Sequence, residues 1–313
     1  MTPSAIAGLA ALLAAALIPA AATAREHAPA GHFIEIDGVR LHFVETGPET
    51  APRVLVLHGA SANLEDMRLA LESELGEYRA VWLDRPGLGW SERPGGRWSP
   101  EREAELIAAF LAERNAEPAV VIAHSWGGAI ALRLAMDYPE AVTGLVLVAP
   151  AVRAWVGEAA FYNRATRWPV VGTLITRVIA PTFGRTKLEG GARSAFDPEP
   201  MPENYVEDSA LALILRAEAW KANADDMARV NEHLAAQEER YAAITRPAIF
   251  FAGPGDTVLA THRHSVPVAE AMPNAELRLI DGAGHNLHHA RATEVAAAVG
   301  EVMTRASGLQ GRD

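Results

Sequence analysis

Three residues of this 313-residue chain have the types and the order needed for nucleophilic acyl chemistry: Ser125, Asp256 and His285. Ser125 lies in Ala123-His124-Ser125-Trp126-Gly127-Gly128, between the apolar run at 119–122 and the helical pattern at 129–135. A strand, a tight turn carrying serine, and then a helix is the layout of a nucleophile elbow. Such a turn strains the serine backbone, so small residues must flank it. Gly127 meets that need two places after the serine; Ala123, two places before it, adds only a methyl group to the usual glycine. Asp256 follows the apolar run 248–252 in Gly253-Pro254-Gly255-Asp256, and His285 follows the expected strand Leu277-Arg278-Leu279-Ile280 in Asp281-Gly282-Ala283-Gly284-His285. In this order the serine attacks, the histidine carries its proton, and the acid fixes the imidazole tautomer. An aspartate after glycine also commonly bonds its own turn. Asp281 is a rival acid, but it stands too close to His285 in sequence to approach the ring from behind.

The developing oxyanion needs backbone donors. Val54-Leu55-Val56-Leu57-His58-Gly59-Ala60 reads as a buried strand ending in a tight loop. The N–H groups of Ala60 and Trp126 are the expected pair, one past this strand and one past the nucleophile. His58 is expected to pack and shape that loop rather than act as a base.

The elements that must position these residues alternate along the chain. Residues 33–44 read as a hairpin about Asp37-Gly38, and buried strands are expected at 53–57, 78–83, 119–123 and 142–149. Ser99 and Pro100 open a helix whose apolar face holds Ile107, Phe110 and Leu111. Strands alternating with helices imply a mostly parallel α/β sheet covered on both faces. Residues 151–245 carry no convincing strand; they read as helical pieces broken at Pro169, at Pro181 and at the loop 197–202, with amphipathic segments near 205–215 and 219–234. The α/β pattern resumes at Arg246-Pro247. The expected organisation is a leader at 1–24, core at 25–150, a helical cap at 151–245, and core again at 246–313.

These four motifs stand in one order, Asp84-Arg85-Pro86-Gly87-Leu88-Gly89-Trp90-Ser91 stands among them, and the chain resembles the α/β-hydrolase family in its capped, lipase- and epoxide-hydrolase-like branch. The resemblance covers nearly everything after the first thirty residues. It implies a structural role for the 84–91 loop and a cap that covers the site and sets substrate preference. It implies an acyl-enzyme mechanism on a small-molecule carboxylic ester with an apolar acyl group, and no metal or organic cofactor. Dehalogenases and epoxide hydrolases of this architecture need aspartate where Ser125 stands. A carbon–carbon bond hydrolase or perhydrolase is the alternative within the fold. A non-catalytic binding protein is the alternative outside it.

The chain is half hydrophobic, with net charge −11 and no lysine- or arginine-rich run, which argues against nucleic acid as a partner. It has no cysteine, so disulfides and a thiol nucleophile are excluded. Residues 1–24 are uncharged, and Ala22-Thr23-Ala24 precedes Arg25. This predicts an export signal, with an uncleaved membrane anchor as the alternative; a membrane partner is expected only in the second case. His262, His264, His288 and His289 are expected to be surface or loop histidines, not zinc ligands. Trp155, Phe161, Tyr162, Trp168, Phe183, Phe196 and Trp220 are expected mostly to pack between cap and core, with a few lining an acyl pocket.

Overall fold

A computed structural model of the chain describes residues 27–310 except 115, 116, 155, 156, 158 and 159. The expected leader at 1–24 and Trp155 therefore lie outside the described residues.

Eight strands form one sheet: β1 (His32–Ile36), β2 (Val39–Thr46), β3 (Arg53–Leu57), β4 (Arg79–Leu83), β5 (Ala119–His124), β6 (Val142–Val148), β7 (Ala248–Ala252) and β8 (Ala275–Leu279). Their order across the sheet is β1-β2-β4-β3-β5-β6-β7-β8. The β1–β2 and β2–β4 pairs are antiparallel. From β4 to β8 all neighbours are parallel. Asp37 and Gly38 both take positive φ, 48° and 73°, as a two-residue hairpin turn of the β1–β2 kind requires.

The central strands are apolar at nearly every position, Arg53, Thr143 and His124 lying near their ends, because both faces are covered. Leu55, Leu57, Val121, Leu145, Leu147 and Phe250 face one way, against the helices Pro100–Glu113 and Trp126–Asp137. Val54, Val56, Val120, Ile122, Val146 and Phe251 face the other, against Leu64–Leu71 and Ala292–Gln310. Ser99 caps the Pro100 helix through its side chain, which accepts from Arg102 N–H. The chain passes from β3 to β4 on one side and returns to β5 on the other. The carboxyl ends of β3 and β5 thus flank the point where strand order reverses, the usual site of a crevice in such sheets.

Among the described residues between β6 and β7 there is no strand, only helical segments. Pro169 opens the helix Pro169–Leu174 rather than ending one. Pro181 does not break the run either. The turn Ile175–Ile179 widens to π geometry and Ala180 N–H bonds Ile175 O, so the helix continues through Pro181 to Phe183. The segment near 205–215 is not one amphipathic helix. Ala210 takes φ 49°, which divides Tyr205–Asp208 from the 3₁₀ turn Leu211–Leu215.

The 84–91 loop is held by its own polar groups. Asp84 accepts from Leu64 N–H and Trp90 N–H, both at 2.8 Å, and pairs with His42 Nδ1 at 2.7 Å. Arg85, fully buried, bonds Glu103 through Nε at 3.0 Å, Asp226 through Nη2 at 3.1 Å, and Gly59 O through Nη1 at 3.2 Å. One guanidinium thus ties the core helix, a helix of the 151–245 segment and the loop after β3. Arg85→Met is expected to cost about 3–5 kcal/mol in urea unfolding, since it strands buried carboxylates. A loss below about 1 kcal/mol would show that Arg93, which also bonds Asp226, balances them alone.

Candidate active site

Ser125 sits between β5 and the helix Trp126–Asp137 with φ 51° and ψ −120°. A non-glycine residue at positive φ is strained, and it is held here from both sides. Ser125 N–H bonds Val148 O at 3.0 Å, and Ser125 O accepts from Ala151 N–H at 2.9 Å. The elbow brings backbones too close for side chains. A Cβ on Gly127 would lie 2.8 Å from the carbonyl oxygens of Leu57 and His58, and one on Gly59 would lie 2.9 Å from Ser125 Cβ.

The structure brings Ser125, His285 and Asp256 together. Ser125 Oγ is 3.0 Å from His285 Nε2, and His285 Nδ1 is 2.8 Å from Asp256 Oδ2. The other Asp256 oxygen, Oδ1, accepts from Val258 N–H and Leu259 N–H, both at 2.8 Å. The aspartate therefore bonds its own turn with one oxygen and faces the imidazole with the other. Asp281 is exposed. Ala60 and Trp126 line the same cavity as Ser125 and His285. That cavity measures about 600 Å³ and is walled mainly by apolar groups, among them Ile214, Leu215, Trp220, Met227 and Val230.

His58 shapes the loop after β3. Its Nδ1–H donates to Gly59 O at 2.9 Å and its Nε2 accepts from Arg85 N–H at 3.0 Å. An imidazole accepting a backbone N–H must be neutral at that nitrogen. Burial, aided by the Arg85 charge, accordingly lowers its pKa to about 4.

The four histidines expected at the surface or in loops all lie in loops, but not all at the surface. His262 is exposed, but His264 and His288 are buried, and the His289 side chain is only 6% exposed. The reason is that the loops after β7 and β8 turn inward, where polar groups need partners. His264 Nδ1 accepts from Val152 N–H and Arg153 N–H, each at 3.3 Å, where the chain leaves β6. Burial, with Arg263 nearby, lowers its pKa to about 4.

Behind His285 lies a polar cluster that the motifs do not reveal. Asp66 Oδ1 accepts from Tyr205 OH at 2.8 Å and from His289 Nε2 at 3.0 Å, while His288 Nε2 stands 3.5 Å from Asp66 Oδ2. Burial opposes the Asp66 charge, yet the two imidazoles hold its carboxyl well below the usual carboxylate range. His124 Nε2 meets His285 O at 3.2 Å, and its ring lies 4.8 Å from that of His285. Burial keeps His124 neutral. Among the described residues, Asp66, His124 and His288 are the ones that could hold a metal, with ligand atoms within 4.8 Å of one another. Tetrahedral zinc needs ligand atoms roughly 3.4 Å apart at its bond lengths, and Asp66 is already engaged, so the geometry fits a hydrogen-bonded network better. A first-turn acid such as Asp66 carries no sequence signal of this role, because acids are ordinary there.

The aromatics of the 151–245 segment depart from expectation only in part. Phe196 is buried, and Tyr162 and Trp220 line the cavity. Phe161, Tyr162, Trp168 and Phe183 are exposed instead of packed, because the helices carrying them bury small residues.

The family model described as "Alpha/beta hydrolase family" matches residues 54–298, and the chain belongs to that family. It is 28% identical over 252 residues to the magnesium-chelatase 30 kDa subunit of Rhodobacter capsulatus, covering 80% of this chain and 86% of that protein. It is 26% identical over 281 residues to the lipase LipV of Mycobacterium tuberculosis, covering 83% and 97%. Other curated relatives match over a shorter region, spanning 35% and 29% of their own lengths. Among solved structures, Cfl2 from Burkholderia cenocepacia superposes with a TM-score of 0.73 at 22% identity, covering 87% of this chain and 95% of that one.

The neutral histidines set a pH dependence of stability. His58 and His264 titrate near 4 when folded and near 6.5 when unfolded. Between those values the unfolded chain binds more protons, so stability is full above about 6.5 and falls as the pH drops toward 4, by up to about 1.4 kcal/mol per pH unit per group. His264→Asn keeps an acceptor for Val152 and Arg153 and removes one titration. The slope of unfolding free energy against pH between 4.5 and 6 should fall by about one proton's worth. An unchanged slope would show that His264 takes up its proton without unfolding.

Proposed function

We propose that this chain is a serine hydrolase of carboxylic esters. The observation that carries the reading is the continuous relay from Ser125 Oγ through His285 to Asp256, at 3.0 and 2.8 Å, opening into an apolar cavity. Ser125 Oγ attacks the ester carbonyl as His285 Nε2 takes its proton. Asp256 stabilises the imidazolium and holds its tautomer. The N–H groups of Ala60 and Trp126 receive the oxyanion, where one such donor contributes about 3 kcal/mol to transition-state stabilisation. His285 protonates the departing alkoxide, then activates the water that cleaves the acyl-enzyme.

The 151–245 segment acts as a cap whose apolar residues receive the acyl chain; the lipase among the relatives is consistent with such a substrate. Residues 1–24 direct export, which N-terminal sequencing of the recovered protein checks against an intact leader.

Hydrolysis of p-nitrophenyl esters from acetate to palmitate tests the function. Ser125→Ala should lower kcat/KM by at least about a thousandfold, and Asp256→Asn by about 10⁴ in kcat through loss of the tautomer. Filling the cavity with Ile214→Trp should move the optimum to shorter chains. A folded wild type that turns over no ester, yet reacts with a fluorophosphonate at Ser125, would assign the relay to another bond, such as a carbon–carbon bond. Failure to label as well would leave a binding protein.

A further inference from the structure

The helical run from Pro169 to Phe183 is turned inside out for a water-soluble fold. Its buried residues are Gly172, Thr176, Ala180 and Pro181, the first three small and spaced four apart. Its outer side carries two adjacent ridges at the same spacing, Val170–Leu174–Val178 and Val171–Ile175–Ile179–Phe183. Val170 is 83% exposed and Phe183 65%. The preceding helix Phe161–Thr166 extends the surface: Phe161 is 64% exposed, Trp168 is 52%, and their rings meet edge to face at 6.0 Å. Eight of the eleven large exposed apolar side chains among the described residues fall between 161 and 183. Clustering of this kind marks an interaction site, whereas scattered apolar residues do not.

The charge of the same segment selects the partner. The chain as a whole carries −11, yet residues 160–188 hold Arg164, Arg167, Arg177, Arg185 and Lys187 and no carboxylate. All five are exposed; Arg167 also pairs with Asp225 at 3.3 Å. Apolar ridges with a tryptophan, flanked by cations, are the composition of a helix lying in a bilayer interface. A second copy fits poorly, because a two-fold contact would set this cationic face against itself. Among the described residues no helix is long and apolar enough to cross a membrane, so contact is with one leaflet.

We propose that the 161–187 face docks on an anionic lipid surface, with Phe161, Trp168, Val170, Leu174 and Phe183 entering the interface and the surrounding arginines and Lys187 meeting lipid phosphates. This contact lies within the 151–245 segment and does not depend on residues 1–24. Tyr162 and Lys187 belong both to this face and to the wall of the Ser125 cavity. If the hydrolase reading holds, the cavity draws esters from the bilayer; the docking itself does not depend on that reading.

The absence of cysteine makes a direct test available. Val170→Cys in the full chain, labelled with an environment-sensitive fluorophore, is titrated with phosphatidylcholine vesicles with and without phosphatidylglycerol. Leu279→Cys, at the exposed end of β8, serves as the control site. The label at position 170 should shift to the blue with anionic vesicles and the label at 279 should not. Arg177→Gln and Lys187→Gln should weaken partitioning roughly fivefold each, and added salt should do the same. No vesicle-dependent shift at position 170 would overturn the proposal, even if the protein sediments with vesicles through another part. A shift that grows with protein concentration in the absence of vesicles would overturn it in favour of self-association. Neither readout requires ester turnover, so failure here and failure of the hydrolase reading are distinguishable.

Discussion

The positive φ of Ser125 is the constraint around which the rest of the structure is arranged. A serine at φ 51° is unfavourable unless neighbouring backbone fixes it, and the fixing bonds come from β6 and from the chain just beyond it. The helix that begins at Trp126 must start immediately, and its first turn must pass within contact distance of the β3 carboxyl end. That proximity places the N–H-bearing loop at 58–60 opposite the serine. The parallel β3–β5 pairing, with Leu57 beside Ala123, sets the spacing. The register of two strands therefore sets the distance between Ser125 and the N–H groups proposed to receive the oxyanion.

Around this elbow the loops are fixed by buried polar groups that must remain in one protonation state. Neutral His58 and His264 accept backbone N–H bonds, His124 supports the His285 carbonyl, and anionic Asp66 takes the Tyr205 hydroxyl. Each satisfies a group that would otherwise be buried unpaired. Two of these contacts and the Arg85–Asp226 pair join the 151–245 segment to the core at separate places: His264 at Val152 and Arg153, Asp66 at Tyr205, and Arg85 at Asp226. A segment tied at three points keeps the apolar wall of the cavity in place over Ser125. The same ties remove any need for the outer helices to contribute large side chains to the core.

The sequence made legible whatever depends on local pattern. The β-strands are readable because apolar runs bounded by glycine have few other solutions, and the Ser125, Asp256 and His285 loops are readable because each follows such a run. The bounds of β3 and the start of the Ser99-capped helix fall where their residues place them. What depends on tertiary placement was not legible. Asp66, His288 and Tyr205 lie more than a hundred residues from one another or on unrelated elements, and no spacing links them. The break at Ala210 is invisible because alanine normally favours a continuous helix. Pro181 reads as a stop, since the widened turn before it has no composition of its own.

Periodicity also carries an ambiguity of sign, and the 169–183 helix exposes it. A period near 3.6 says that a helix has two unlike faces; it does not say which face meets the protein. Large apolar residues are assigned inward by default because burial of each stabilises by about 1.5–3 kcal/mol. That default fails where the contact surface is shallow and built of Gly172, Thr176 and Ala180, which permit close helix approach but offer little area. The large side chains then gain nothing by turning inward, where they would force the helices apart. Their exposure is the lower-cost arrangement for the packing, and it leaves an apolar, cationic face on an otherwise acidic protein. The same small-residue packing that seats the outer helices over the cavity thus determines what they present to the surroundings.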